Sequence, residues 1–411
     1  MVIASPATAA DANDPAVSAV KDPMAARVAD LDWLIDQIGT HYVYLPHSGL
    51  DLDRLRALYR PEAASATTHA AWLHVLESLI GELHDDHATL RANTPSSPQL
   101  IPTGTDLWAE FDHGKAIVTQ VRAESPASHA GIEPGDRIVA IDDVPVQRAV
   151  EVALPHALSL TQASDFTLRR LLAGTHDRVR IVTLVDHRRI VLPPYQPPSS
   201  TQPLSWKWLE PGIGYIRFNN SLGETDTVAA FDKALARLRN AHGVILDLRD
   251  TPSGGNTDVA EPILGRLIAH TGHYQRIGAP DMRSYGTKGS VLRPIAPRGP
   301  FTLSAPLVVL VDRWTGSMGE GMTVGLKALD RAKVVGARMA GLRGGTQDFT
   351  LPHTGITVDF PTYRIMQVDG TPREDFLPDI QVDLYHGNHS TDPILTAGTK
   401  ALKELMARSA R

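Results

Sequence analysis

Ser317 stands in the run Trp314-Thr315-Gly316-Ser317-Met318-Gly319-Glu320-Gly321. Before it comes Leu307-Val308-Val309-Leu310-Val311, whose length and β-branched content predict a buried strand. After it, Met322, Leu326 and Leu329 recur at helical spacing. A serine on such a strand-to-helix turn exposes its hydroxyl beside the unpaired N–H groups of a helix start. That is how a serine nucleophile is displayed, and the flanking glycines are expected to allow the backbone angles it needs. A plain helix N-cap is the competing reading, and the octapeptide alone leaves both open. Glu320 reads as an acidic complement to the positive helix start.

A second run, Asp247-Leu248-Arg249-Asp250-Thr251-Pro252-Ser253-Gly254-Gly255-Asn256, ends a strand in a glycine-rich loop. Gly254 and Gly255 let backbone N–H groups approach a ligand oxygen. By itself the loop is only a strand-to-helix connection. Brought beside Ser317 it would supply one donor of an oxyanion hole, with the Met318 N–H as the other. Such donors are worth roughly 3–4 kcal/mol each in a barrier.

These runs need a large scaffold. The chain has 411 residues, enough for two or three domains. Its 42% apolar and 21% charged residues describe a globular protein. A net charge of −6 without a Lys/Arg block gives no reason to expect nucleic acid or an anionic membrane as partner. There is no cysteine, which excludes disulfides, thiolate zinc sites and a cysteine nucleophile. No apolar run is long enough to span a bilayer.

Pro/Ser-rich stretches at 93–98 and 193–200 divide the chain. The expected order is a disordered start over 1–20, a helical domain over 21–95, a β-rich domain over 100–195 and an α/β core over 204–411. In the helical part, Asp22-Pro23 caps a helix with a Val28, Leu31, Leu34, Ile35, Ile38 stripe. Trp72, Val75, Leu76, Leu79 and Leu83 mark a third helix running into His84-Asp85-Asp86-His87. In the core, Ile213–Phe218, a helix face of Val228, Phe231, Leu235 and Leu238, and Gly243–Leu248 make a βαβ unit. Parallel pairing with a right-handed crossover is expected there. A β-rich tail spans 349–384, and Asp392-Pro393 caps a last helix through Met406.

In the β-rich part, Ala116–Val121 is followed by Ser125-Pro126-Ala127-Ser128-His129-Ala130-Gly131-Ile132-Glu133-Pro134-Gly135-Asp136 and Arg137–Ile141. This closely resembles the signature of PDZ domains, with Pro-Gly-Asp as the turn. The stretch 147–175 is longer than that family has, so an altered or capped groove is expected. Adding Asp247-Leu248-Arg249, Gly254-Gly255, Gly316-Ser317-Met318-Gly319-Glu320 and the closing Pro378-Asp379-Ile380-Gln381-Val382, the chain resembles the C-terminal-processing (tail-specific) serine peptidase family. The resemblance runs from about residue 25 to the end, with the motifs in the family's order. It implies a multidomain α/β (α+β) fold: an N-terminal helical segment, a PDZ-like β domain, and an α/β core of the ClpP/crotonase-like type.

One departure changes the chemistry. The processing branch uses a Ser–Lys dyad, with the lysine in a Gly-Lys-Gly segment. Here the segment is Gly341-Leu342-Arg343-Gly344-Gly345. Arg343 cannot act as base, because a guanidinium keeps its proton, and Lys327 is expected to point away. The chain is in this respect more similar to the tricorn-core-like branch, which takes a histidine from the N-terminal segment. That resemblance implies His87 as general base, an imidazole being suited to the task at neutral pH. It implies Asp86 and Glu374 as supporting groups, with Asp375 an alternative to Glu374. His87 also reads as a charge against a helix C-terminus. The His84/His87 pair with Asp85 and Asp86 also reads as a metal site, though four crowded residues rarely converge without a distant ligand. His353 and His129 are read as surface or packing residues.

The implied activity is peptide-bond hydrolysis through an acyl-enzyme on Ser317, without a cofactor or metal. The implied substrate is a peptide or unfolded protein, and the PDZ-like segment reads either as a capture site for its C-terminal carboxylate or as a gate over the cleft. Two rival readings share the fold: a non-catalytic ligand- or peptide-binding protein, and a small-molecule acyl hydrolase. A periplasmic or secreted location is favoured over the cytoplasm by the resemblance. Oligomeric state is not readable.

Overall fold

The computed structural model describes residues 23–156, 163–280, 282, 284–385 and 392–409. The expected disordered start and the Asp22 cap lie outside them. The chain packs into two compact units. Among the described residues, one takes in those of 197–343 and 364–409, and the other those of 23–196 and 344–363.

The first, an α/β unit, is built on a six-stranded sheet. Its order is Ile380–Gln381, Ala332–Gly336, Leu307–Val311, Gly243–Asp247, Ile213–Phe218, Leu204–Glu210. All neighbours pair in parallel except the last two. Long crossovers join the parallel strands, as such pairing demands, each carrying a helix except the one from Ala332–Gly336 to Ile380–Gln381. The central strands Gly243–Asp247 and Leu307–Val311 are buried at every position, because helices cover both faces. On one face Leu246, Leu307, Val309 and Val311 pack with Phe231, Leu264, Met322 and Leu326. On the other, Ile245, Val308 and Leu310 pack with Ile394, Ala401 and Leu402 of the closing helix Pro393–Ser409. That helix starts where Asp392 accepts from the Leu395 N–H at 2.9 Å. It approaches the sheet closely, since a Cβ on Gly398 would lie 2.4 Å from Leu310 Cδ2.

The other, N-terminal unit opens with the helices Pro23–His41, Leu52–Ser65 and His69–Gly81. A six-stranded antiparallel sheet follows, ordered Leu107–Asp112, Lys115–Val121, Arg137–Ile141, Arg180–Leu184, Arg189–Leu192, with the short strand Val144–Pro145 paired to Arg137–Ile141 off this path. The PDZ-like run behaves as its chemistry predicts. Ser125 caps the short helix Pro126–His129, and Asp136 Oδ2 accepts from the Glu133 N–H to close the turn. The long 147–175 stretch contributes a helix, Ser164–Ala173. Asp165 on it accepts the Phe111 N–H at 2.7 Å, occupying a donor of the outer strand of the sheet.

The packing divides the tail differently from the sequence reading. The hairpin Gly345–Thr350 and Thr357–Tyr363 belongs to the N-terminal unit. Thr89–Leu90 pairs with it, and the buried Asp30 carboxylate accepts from His353 N, Thr354 N and Thr354 Oγ1. Among the described residues no helix is long and apolar enough to cross a membrane.

Candidate active site

Two loops leave the α/β sheet side by side at the ends of Gly243–Asp247 and Leu307–Val311, and Thr251 knits them together. Its N–H donates to Trp314 O, and its carbonyl accepts from Gly316 N and Gly254 N. Thr251 Oγ1 and Thr315 Oγ1 both donate to Leu248 O, at 2.8 and 3.0 Å. The buried Thr251 and Thr315 hydroxyls are thereby paired, as burial requires.

Ser317 closes the second loop at the N-cap of the helix Met318–Ala328, with φ 46° and ψ −105°. Positive φ is costly for a side chain with a Cβ, of order 1–3 kcal/mol. The strain expected at the flanking glycines thus sits on the serine itself. Gly316 and Gly319 have another task, close packing. A Cβ on Gly316 would meet Pro252 O at 2.6 Å, and one on Gly319 would meet Thr251 Oγ1 at 2.2 Å.

Gly254 has φ 64°, and a Cβ there would lie 2.3 Å from Ser317 Cβ, 2.9 Å from its Oγ and 3.0 Å from Met318 N. The glycine loop therefore rests directly on the serine and the first helical N–H. A Cβ on Gly255 would meet Leu222 O at 2.0 Å. The Gly254 N–H is already given to Thr251 O at 3.0 Å. That leaves Gly255 as the stronger donor candidate of the two.

Glu320 does more than complement the helix start. It is fully buried; one carboxylate oxygen accepts from Ser317 N at 2.8 Å and the other from Gly341 N at 2.9 Å. Burial pushes its carboxyl up to about 7, against the opposing pull of Arg373. Arg373 Nη2 lies 3.6 Å from Oε2 and donates to Leu342 O at 2.6 Å. Glu374 adds a further upward push on Glu320. Glu374 is itself raised by burial and accepts a hydrogen bond from the Tyr285 hydroxyl. Asp375 is exposed, so the inward carboxylate of the pair is Glu374.

Lys327 is on the surface, where Nζ pairs with Asp379 at 2.6 Å. Leu342 is buried, and its Cδ1 would be 3.3 Å from a Cβ on Gly316. An apolar side chain thus borders the serine turn from the position the resemblance gives to a lysine.

His87 and Asp86 are in the N-terminal unit, in a turn beyond the helix His69–Gly81. With the helix ended at Gly81, the helix-end reading of His87 does not hold, because dipole effects fade within a turn. Asp85 is buried and accepts from Tyr42 Oη at 2.9 Å and from the His87 N–H at 3.1 Å. Asp86 pairs with Arg169 at 2.9 Å, whose guanidinium lies 5.1 Å from the Trp108 ring centre. His84 has φ 39° and meets the Phe166 ring edge-on at 6.3 Å. Among the described residues no three His, Asp or Glu side chains are grouped to hold a metal ion. His129 is exposed, and the His353 backbone is held by Asp30.

Sequence reasoning missed Arg373 and the bonded role of Glu320. The latter had a signal, since Ser followed three residues later by Glu is a capping-box pattern. Arg373 had none, being 53 positions downstream of Glu320 in an irregular loop.

An open, mostly parallel sheet thus carries a serine on a strained turn, with a glycine loop against it. Comparison with known proteins makes this specific: residues 212–382 match Peptidase family S41, and residues 117–153 match the PDZ domain. The chain is thus a relative of the S41 peptidases with a PDZ domain, as its motifs implied. A "Carboxyl-terminal-processing protease" of Synechocystis sp. is 28% identical over 269 residues, 64% of this chain and 57% of that protein. A "C-terminal processing peptidase, chloroplastic" of Tetradesmus obliquus is 27% identical over 326 residues, 72% of this chain and 62% of that one. The chain therefore spans about three fifths of the length of these relatives. Among solved structures, a photosystem II D1 C-terminal processing protease gives a TM-score of 0.54 at 22% identity, covering 91% of this chain and 97% of that one. Mature CPAF gives 0.59 at 15% identity, covering 93% and 96%. These likenesses establish the fold.

Proposed function

We propose that the protein is a serine peptidase that hydrolyses peptide bonds through an acyl-enzyme on Ser317. The observation that carries this is the strained Ser317 turn packed against Gly254, with the Met318 N–H at the same point. Ser317 Oγ attacks the scissile carbonyl and its proton passes to His87. The Met318 N–H and the Gly254–Gly255 loop, through Gly255, receive the oxyanion. His87 returns the proton to the leaving amine, and water then cleaves the ester. Asp86 and Glu374 are assigned to supporting roles. The substrate is a peptide or unfolded protein, with the PDZ-like segment engaging its C-terminus. The working domain limits are 21–95, 100–195 and 204–411, the last interrupted by the 344–363 hairpin of the N-terminal unit.

The test is labelling with a fluorophosphonate probe. Wild type is expected to label, and Ser317→Ala and His87→Ala are expected not to. Labelling that persists in Ser317→Ala overturns the nucleophile assignment. A second reading, a binding protein on the same fold, draws on Leu342 bordering the serine turn in place of a lysine. It predicts no labelling of the wild type at any pH.

A further inference from the structure

Arg373 is 1% exposed, lies on no regular element, and has no part in the reaction as drawn. Its contacts nevertheless converge on the nucleophile. Nη2 donates to Leu342 O at 2.6 Å and stands 3.6 Å from Glu320 Oε2. Glu320 in turn receives the Ser317 and Gly341 N–H groups at 2.8 and 2.9 Å. We propose that Arg373 is a positioning residue for Ser317: by gripping the Glu320 carboxylate and the Leu342 carbonyl together, it fixes both the serine turn and the Gly341–Leu342 loop. This rests on the reading of Ser317 as nucleophile.

The physical argument starts from the Ser317 amide. A peptide unit is planar, so holding the N–H of Ser317 holds the plane from which its Cα and hydroxyl project. The serine sits at φ 46°, a conformation that persists only when its surroundings over-determine it. Glu320 supplies that constraint, and it accepts both N–H groups most strongly as a carboxylate, since protonation turns one oxygen into an O–H donor and weakens it as an acceptor. The charged groups facing Glu320 are Arg373, which favours the carboxylate, and Glu374, which opposes it. Burial opposes it too and is the largest influence. Without Arg373 the acid takes up a proton more readily and holds one of the two N–H groups more weakly.

The experiment measures the rate of fluorophosphonate labelling of the full chain from about pH 6 to about pH 9. The forms compared are wild type, Arg373→Gln, Arg373→Lys, Glu320→Gln and the Glu320→Gln/Arg373→Gln double variant. Arg373→Gln is expected to label at least about tenfold more slowly near pH 7, with its acid limb moved up by about one unit. Arg373→Lys should recover most of the rate. In the double variant, loss of Arg373 should add little to loss of Glu320. A purely structural role lowers the folded fraction and leaves the limb where it was. Folded Arg373→Gln that labels at the wild-type rate with the same pH profile sinks the proposal, as do losses that multiply in the double variant. Should Arg373→Gln fail to fold, hydrogen exchange of the wild-type Ser317 amide decides. Its protection, corrected for intrinsic rate, must fall as pH drops from about 8 to about 6, and pH-independent protection overturns the idea. Labelling that survives Ser317→Ala fells the nucleophile reading and this one together. Normal loss in Ser317→Ala beside an unaffected Arg373→Gln fells this one alone.

Discussion

Gly254 and Ser317 touch backbone to side chain: a methyl group on Gly254 would fall 2.3 Å from Ser317 Cβ. The glycine also has φ 64°, so alanine there meets a steric clash and a strained backbone together. Gly254→Ala is expected to lower the rate of probe labelling at least 10²-fold, the scale of losing an oxyanion donor. Far-UV circular dichroism should stay unchanged. Wild-type labelling by this variant would show that the loop does not border the reacting hydroxyl.

The pH dependence of stability should carry a mark of Glu320. Its carboxyl is held up at about 7 in the folded chain, whereas an unfolded glutamate titrates near 4.3. Between those values the folded state keeps a proton that the unfolded chain has released. Stability contributed by this group is therefore present below the lower value and lost as pH rises through the window, by up to about 1.4 kcal/mol per unit. Above about 7 the loss is complete. Thermal melts of wild type and Glu320→Gln across pH 4–8 isolate this group: the wild-type Tm should fall more steeply with rising pH. Parallel curves would show that Glu320 does not hold the proton.

For His87 the readout is the rate of peptide hydrolysis. His87→Ala should lower kcat/KM by about 10²–10⁴-fold. The wild-type profile should rise through about 6–7, the range of an imidazole. A rise only above about 9 would transfer the base role to a lysine.

Lys327 is the nearest lysine in sequence to inherit it, and its exposed pairing with Asp379 argues against that. Lys327→Ala is expected to change hydrolysis less than twofold, and stability by about 0.5 kcal/mol at most. A loss comparable with that of Ser317→Ala would reinstate lysine chemistry.

Much of the fold was legible because central strands buried on both faces advertise themselves. Leu307–Val311 and Gly243–Asp247 are unbroken apolar runs ending in turn residues, and no helix of that length fits between such punctuation. The PDZ-like turn was legible from local chemistry alone, Ser125 and Asp136 bonding within three residues of themselves. What escaped depends on partners far apart in the chain. Thr89 pairs with Asp359, and two residues so distant leave no periodic signal. The same holds for Arg373 and Glu320. The strain at position 317 was misplaced onto its glycines because composition records which residues tolerate positive φ, not which are forced into it.

The hairpin Gly345–Tyr363 makes the backbone a stitch rather than a tether. The chain passes between its two packed bodies at 196–197, again at 343–344, and returns at 363–364. A nick in the Pro-rich 193–200 stretch should therefore yield two fragments on a denaturing gel that still migrate as one species under native conditions. Neither body can be excised as one contiguous stretch of gene without taking the other's residues or leaving some of its own behind, and a fragment ending at 196 would leave the N-terminal body without the strands Gly345–Thr350 and Thr357–Tyr363.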